Sequence, residues 1–557
     1  MPRSERRLLR LRGVHVSTAI RHARNSLVPL VGLSFAIIAI VGAVRSYSPV
    51  PLADMWDGYL QFYIDLTKGY LQEWYGAGNE HRFIFSRLMF WLDIRCFGGL
   101  SIFLIAANLV LMALLWSVFC FVARSLLGAR NVLLVPTCAL LLVPCFSWLQ
   151  SENITWAFQS QFFLAYLFPL FAFLCFAKSL GAERPRAWFA AATAWGCLSL
   201  GTMANGTLVL PLLIAAVVVS GTSVRPRLAV LVPLSALMLF LYFQDFPPSH
   251  GFSASWAHRA KFALEFLGAP IGIVLMRDNL AEIAGALFLA AAVAMFIAWY
   301  RSTARDPMML ALLAFLAYIV LTSAAAAIGR ANDAATTDFA SRYETPALLG
   351  WSALALLLIA QFRDRLETRG ALAVVAVLVP IALLRPQLDA LGDDGPHLVR
   401  LYRMGALALD LGVNDEDACQ YLYPHDVPRI AATTAEACER NISVFGMPDL
   451  VLARTSIGRR ADELGLVECT GHVDRLVPVP GDKGRFKAIG WALDPGCAKT
   501  PDLVLIGDPD GTILGAAYTG VERSDIASQY GESRLTSGFE GYVRRGASYV
   551  FRVFAKR

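Results

Sequence analysis

Residues 100–124 read LSIFLIAANLVLMALLWSVFCFVAR. From Leu100 to Ala123 there is no charged side chain, and the run closes on Arg124. A helix of that length reaches across the roughly 30 Å hydrocarbon core of a bilayer. In lipid the backbone has to satisfy its own hydrogen bonds, so such a run is read as a spanning helix. Outward from it, about eleven apolar stretches alternate with polar loops: Leu27–Val44, Leu100–Ala123, Val132–Leu149, Gln161–Ala177, Ala187–Ala204, Thr207–Ser220, Leu228–Phe243, Glu282–Tyr300, Met308–Ile328, Pro346–Gln361 and Ala371–Leu384. A hydrophobic share of 56% and a mean hydropathy of +0.53 exclude an ordinary soluble domain.

Orientation follows from arginine. An N-terminal arm over residues 1–26 holds Arg3, Arg6, Arg7, Arg10, Arg12, Arg21 and Arg24 and is expected to stay cytoplasmic. Counting spans from there, the inner loops carry Arg124 and Arg130, Lys178 with Arg184 and Arg186, Arg225 and Arg227, Arg301 and Arg305, and Arg363, Arg365 and Arg369. The short outer turns near Ser151 and Asn205 carry none. An odd number of spans then puts everything after Arg385 outside. The first span is read as an anchor, since no small-residue cleavage site follows it. The net charge of +6 is mostly this topological arginine, and no basic-aromatic patch points to nucleic acid.

Three outer segments exceed the usual connection length: 45–99, 244–281 and 329–345. The first includes PLADMWDGYLQFYIDLTKGYLQEWYGAGNEHRFIFSRLMFWLDIR, residues 51–95. Trp56, Tyr59, Tyr63, Tyr70 and Trp74 recur at roughly helical spacing, which predicts an amphipathic helix at the membrane–water boundary. Asp54 and Asp57 stand three apart at its start, either as helix-cap residues or as a functional pair. Glu80, His81 and Arg82 form the following turn. The third segment brings Arg330, Asp333, Asp338, Arg342, Tyr343 and Glu344 between two long spans. Its two arginines break the inside pattern, by snorkelling and pairing with acids or as a phosphate clamp. The turn Ser151–Gln161 adds Glu152, Asn153, Gln159 and Gln161. His250 and His258 fit no strong metal spacing.

A cationic inner arm, one span, then a large acidic outer loop with surface helices resembles the GT-C superfamily, membrane glycosyltransferases that take sugars from polyprenyl-phosphate carriers. Asp54 and Asp57 in DMWDGY occupy the place of that superfamily's acidic motif, separated here by Met55 and Trp56 where many members have adjacent acids. NEHR at 79–82 and SRYETP at 341–346 are similar to segments of bacterial members. The resemblance covers Arg21 to Leu384 and implies an inverting single displacement. It also implies a bacterial inner-membrane protein with a periplasmic tail, taking a polyprenyl-phosphate-sugar donor and a cell-envelope glycan or glycolipid acceptor.

The residues support the same chemistry by themselves. Outside the inner membrane there is no nucleotide-sugar pool, so a donor arrives on lipid. An acceptor hydroxyl needs a base, first Asp54 and second Asp57. A leaving phosphate needs positive charge, from Arg330 and Arg342 with His81 and Arg82 as alternatives. Glu80, Glu152, Gln159, Tyr343 and Glu344 are candidate substrate contacts. No ligand spacing demands a metal, and a divalent ion on Asp54, Asp57 or Glu80 stays open. Two rival readings also stay open: an O-antigen ligase or polymerase using a lipid pyrophosphate, and a non-enzymatic export or flippase component. No Walker loop, GxSxG, HExxH or dinucleotide fingerprint occurs.

The expected fold is mainly α: a GT-C-like bundle over 27–386, then an extracytoplasmic α+β tail. In that tail 387–470 reads as helical and mixed, and 471–557 reads as a small β-sandwich, with Asp510-Gly511 as a hairpin turn. Of ten cysteines, Cys419, Cys438, Cys469 and Cys497 lie in the tail. An even count there allows two disulfides. Chain order suggests 419–438 and 469–497, with three pairings open.

Overall fold

The computed structural model describes residues 28–78, 81–181, 183–246, 255–330, 341–369, 371–424, 426–494, 500–544 and 550–556. The chain divides into two compact units, one of Met1–Arg45, Trp74–Ser86 and Leu104–Gly392, the other of Ser46–Glu73, Arg87–Phe103 and Asp393–Arg557.

The first unit is helical, and the protein is a multi-pass membrane protein. Eight helices among the described residues are long and apolar enough to cross a bilayer: Val28–Arg45, Ile102–Leu127, Leu134–Thr155, Ala157–Lys178, Val224–Phe243, Asn279–Arg301, Pro307–Gly329 and Ser341–Gln361. The other three apolar stretches of the sequence are helical but differ in kind. Pro185–Ser199 has only 15 residues, Ala204–Ser220 is a shorter apolar helix, and Ala371–Asp389 carries Pro380 and Pro386. Within the spans the burial differs widely. Ala157–Lys178 is 83% buried and Val224–Phe243 22%, as expected for a central and a lipid-facing helix.

The segment 244–281, expected as an outer loop, is largely a 20-residue helix, Trp256–Leu275. It reverses through Met276, in the left-handed region at φ 53°, into the helix Asp278–Arg301. The two helices touch along small residues. A Cβ on Gly268 would lie 1.9 Å from the Ala281 carbonyl oxygen, and one on Gly285 would lie 1.9 Å from that of Leu264. Such close backbone approach is how helices associate where lipid removes the hydrophobic drive. The sequence concealed this because His258, Arg259, Lys261 and Glu265 interrupt the apolar pattern.

The second unit joins the first long loop to the tail. The expected amphipathic surface helix is instead a core element of this unit. Trp56, Tyr59, Leu60, Phe62 and Ile64 are fully buried. Trp56 lies 6.1 Å from the Phe445 ring, and Tyr59 meets Phe90 edge-on at 5.8 Å. The loop and the helix Val427–Arg440 are stitched by polar bonds. Thr433 donates to Gln61 at 2.9 Å, Arg440 to Thr67 at 2.6 Å, and Lys68 pairs with Glu436 at 2.7 Å. Aromatics that a sequence offers to a membrane interface are equally suited to a core, and here the tail supplies that core.

The unit ends in an antiparallel sheet of β1 (Val467–Glu468), β2 (Thr470–Pro478), β3 (Arg485–Leu493), β4 (Leu503–Gly507), β5 (Ile513–Val521), β6 (Gly538–Arg544) and β7 (Arg552–Ala555). Their order is β1-β7-β4-β5-β6-β3-β2, one curled sheet where two stacked sheets were expected. Small residues permit the curl: Ala488, Ala492 and Ala517 line the core, and Cβ atoms on Gly515 or Gly541 would strike a neighbouring strand. The Asp510-Gly511 turn joins β4 to β5, with Gly511 at φ +82° and the Asp508 carboxylate accepting from Asp510 and Thr512 amides. Cys419, Cys438 and Cys469 are free thiols, so the 419–438 pairing is not made. The Cys438 thiol instead donates to Asp410 Oδ1 at 3.4 Å. Cys497 lies outside the described residues.

Candidate functional site

In the first unit the polar turn after Cys145 meets the start of the helix Glu344–Gln361. The Asn153 amide donates to the Arg342 carbonyl at 2.9 Å and to Thr345 Oγ1 at 2.7 Å. Thr345 donates to Gln150 Oε1 at 2.6 Å, and Gln150 donates back to the Cys145 carbonyl at 2.8 Å. Asn108 donates to the carbonyls of Asn153 and Trp156 at 3.3 and 3.1 Å. Asn108, Gln150, Asn153 and Thr345 are all buried. Loss of any one would leave a buried partner unpaired, at about 1–3 kcal/mol. The network therefore fixes the backbone of residues 341–345 against the short turn.

That fixed backbone positions charge. Arg342 Nη1 meets Glu152 Oε1 at 2.7 Å, the Arg342 amide faces Glu152 Oε2 at 3.4 Å, and Ser341 Oγ accepts from the Glu152 amide at 2.9 Å. The pair is partly open, with 34% and 26% of the two side chains exposed. The Tyr343 ring lies under the Arg342 guanidinium at 5.2 Å and beside Phe266 at 5.8 Å. Next to them Glu344 is 0% exposed, and among the described residues neither carboxylate oxygen has a hydrogen-bond partner. Gln159 is also fully buried, with both polar atoms unpartnered among the described residues. A buried acid left unpaired is costly and is characteristic of a place where a ligand completes the bonding.

Five of the residues singled out in the sequence thus belong to one locus: Glu152, Asn153, Arg342, Tyr343 and Glu344. His81 and Arg82 lie elsewhere in the same unit and have other work. Arg82 is buried, and its guanidinium donates to the carbonyls of Tyr242 at 2.9 Å, Tyr75 at 2.6 Å and Gln244, with the Tyr75 ring 4.3 Å away. Three of its five N–H donors are taken up by carbonyls, so it clamps this part of the chain. His81 Nδ1 accepts from the Ala204 amide at 3.3 Å, which puts the proton of a neutral ring on Nε2. Arg330 ends the helix Pro307–Arg330, and its side chain lies outside the described residues, as do Glu80, Asp333 and Asp338.

Asp54 and Asp57 belong to the second unit. Asp54 precedes a wide π-helical turn, Trp56–Gln61, that contains Asp57. Asp57 accepts from Arg429 Nε at 2.7 Å and from the Tyr423 hydroxyl at 3.0 Å. Burial, reinforced by that bond, holds the Tyr423 hydroxyl above its usual pKa, so it stays a donor. Deeper in the unit Asp93 accepts from Tyr59 at 2.7 Å and from the Ser101 amide at 3.2 Å. Burial raises Asp93 above the ordinary carboxylate range, against the lowering effect of those bonds. Sequence reading missed Gln150, Thr345 and Arg429 as site-builders. It missed Asn108 too, although an amide inside a long apolar run is expensive unless it is paired and so carried a signal. Among the described residues no group of three acids, histidines or cysteines is placed to hold a metal ion.

Comparison with protein-family models and with curated proteins finds no match. Among solved structures the chain is similar to the archaeal oligosaccharyltransferase AglB from Archaeoglobus fulgidus, in complex with an inhibitory peptide and a dolichol-phosphate. Identity is 14% over 72% of this chain and 60% of that one, with a TM-score of 0.40. At that identity and score neither a superfamily nor a residue role is taken from the likeness.

Proposed function

We propose that the protein is a membrane glycosyltransferase that moves a sugar from a polyprenyl-phosphate carrier to a cell-envelope glycan or glycolipid at the extracytoplasmic face of the bacterial inner membrane. The observation that supports this best is the built polar locus at the end of apolar helices: a partly open Arg342–Glu152 pair beside a buried, unpartnered Glu344. Lipid-linked substrates have this dual chemistry, an apolar tail and a charged head. In this reading Arg342 offsets charge on the phosphate oxygen as the bond to the anomeric carbon breaks. Glu152 and Tyr343 hold the guanidinium in place, and Glu344 takes a hydroxyl of the incoming sugar.

The acceptor hydroxyl loses its proton to a carboxylate base, for which Asp54, in the second unit, is the candidate from the sequence alone. The hydroxyl oxygen then attacks the anomeric carbon, the bond to phosphate breaks, and polyprenyl phosphate leaves, with inversion. Asp57, tied to Arg429 and Tyr423, orders that loop. Binding of fluorescent polyprenyl phosphate to the purified protein in nanodiscs tests the donor side. Arg342→Gln should weaken it about tenfold, the scale of one charge-assisted contact, and unchanged affinity would remove Arg342 from the site.

A further inference from the structure

The outward face of the curled sheet is not uniform. Along β3, β5 and β6 it is taken up by the helical part of the same unit. Lys487 pairs with Asp415 at 2.7 Å, the Tyr542 hydroxyl donates to Asp415 at 2.6 Å, and Arg403 lies 5.2 Å from the Tyr518 ring. The end of the face is built differently. Trp491, in register with His472 on β2 and Gly538 on β6, is only half-buried, and Tyr530 brings its ring to 6.0 Å at 38°. Tyr530 ends a short helix, Ser524–Tyr530, that follows β5.

A guanidinium crosses this end. Arg523 Nη1 reaches Asp474 Oδ2 at 2.5 Å, while Nε and Nη2 grip Asp525 at 2.8 and 2.7 Å. Its stem runs over Gly538, where a Cβ would come within 2.9 Å of Arg523 Cγ. Glycine at 538, opposite Trp491 in register, thus leaves room for the arginine stem and adds no side chain against the ring. The carboxylates remain open to solvent, 37% exposed at Asp474 and 61% at Asp525. The bond to Arg523 lowers Asp525 to about 2, so it is an acceptor at any working pH.

We propose that Trp491 and Tyr530, rimmed by Asp474, Arg523, Asp525 and His472, form a binding site for a pyranose ring of a glycan chain. A sugar ring has an apolar C–H face that suits an aromatic surface, and an equatorial rim of hydroxyls that pair with fixed carboxylates and a guanidinium. The arrangement offers both at one edge, on rigid strand and helix ends. A lipid surface would also welcome the aromatics, but the rim sets two carboxyl groups against one guanidinium and does not favour anionic headgroups. The inference stands apart from the transfer reaction and from the Arg342 locus.

The test uses the full chain in detergent, labelled with 5-fluorotryptophan, with the Trp491 resonance assigned through Trp491→Phe. Hexasaccharides of glucose, mannose, galactose and N-acetylglucosamine are titrated in. The expected result is a saturable shift of the Trp491 resonance with at least one of them, while the exposed Trp256 signal stays still. Tyr530→Ala and Asp525→Asn should each weaken that titration about tenfold, with the other tryptophan resonances unmoved as proof of folding. The proposal is overturned if none of the four sugars moves Trp491, if both variants bind as the wild type, or if nanodiscs of anionic lipid move Trp491 and the sugars do not.

Discussion

Replacing Glu344 by methionine should make the protein more stable and less active. Glu344 is wholly buried, and among the described residues nothing hydrogen-bonds its carboxylate. An unsatisfied buried polar group costs about 1–3 kcal/mol, and an ionised one costs more. Methionine is apolar, close in length and flexible enough to fit an irregular gap. Its introduction should therefore recover on the order of 1–3 kcal/mol, less any overpacking. For a unit of this size that is a rise of a few degrees in apparent melting temperature. The assay is thermal unfolding in detergent, followed by tryptophan fluorescence and paired with sugar transfer in proteoliposomes. Glu152→Met is the contrasting variant: it strips Arg342 of its partner and should lower the melting temperature. If Glu344→Met destabilises as Glu152→Met does, Glu344 has a structural partner, and the idea that it awaits a ligand is refuted.

Three further outcomes follow from the geometry. Arg82→Gln leaves the carbonyls of Tyr75, Tyr242 and Gln244 short of donors, of which only the bond to Tyr242 is buried; it should cost on the order of 1–3 kcal/mol of stability, while polyprenyl-phosphate affinity in the surviving folded fraction stays unchanged. The Arg429–Asp57 pair is open, 54% and 33% exposed, so a double-mutant cycle read by chemical unfolding should give a coupling below about 1 kcal/mol. Asp410 is pushed up to about 6 by burial, partly offset by Arg454 and Cys438, from an ordinary value of 3.8. Because the folded value exceeds the unfolded one, the folded state holds an extra proton between them, so stability falls as pH rises from about 4 through 6, by roughly 3 kcal/mol in all. Asp410→Asn should flatten that slope in melting curves taken from pH 4 to 7, and an unchanged slope would show that another group causes it.

Much of the membrane part was legible because its signal is simple. Long apolar runs have few alternatives to a spanning helix, and eight of the described helices are long and apolar enough to cross a bilayer. The helix Trp256–Leu275 was hidden because polar residues broke the pattern and its partner face is made of glycine and alanine, which carry little hydropathy. The first long loop misled in a more instructive way. Trp56 and Tyr59 have the composition of an interfacial belt, yet a belt and a core use the same side chains. What decides is whether distant chain supplies a cover, and Phe445, 6.1 Å from Trp56, is nearly four hundred positions away. The site was half legible for the same reason. Arg342 and Glu344 stood out as polar groups against apolar spans, whereas Gln150 and Thr345 matter only through contacts across the chain. For Arg82 the sequence shows a charge and not the three carbonyls that accept from it.

The central claim is sugar transfer from a lipid monophosphate, so the decisive measurement is transfer in proteoliposomes supplied with a panel of radiolabelled polyprenyl-phosphate sugars and an envelope-glycan acceptor. Wild type should transfer label from at least one donor. Asp54→Asn should abolish transfer with polyprenyl-phosphate binding intact, and Arg342→Gln should weaken transfer and binding together. Transfer from none of the monophosphates, with label moving instead from a lipid pyrophosphate or not at all, would contradict the account.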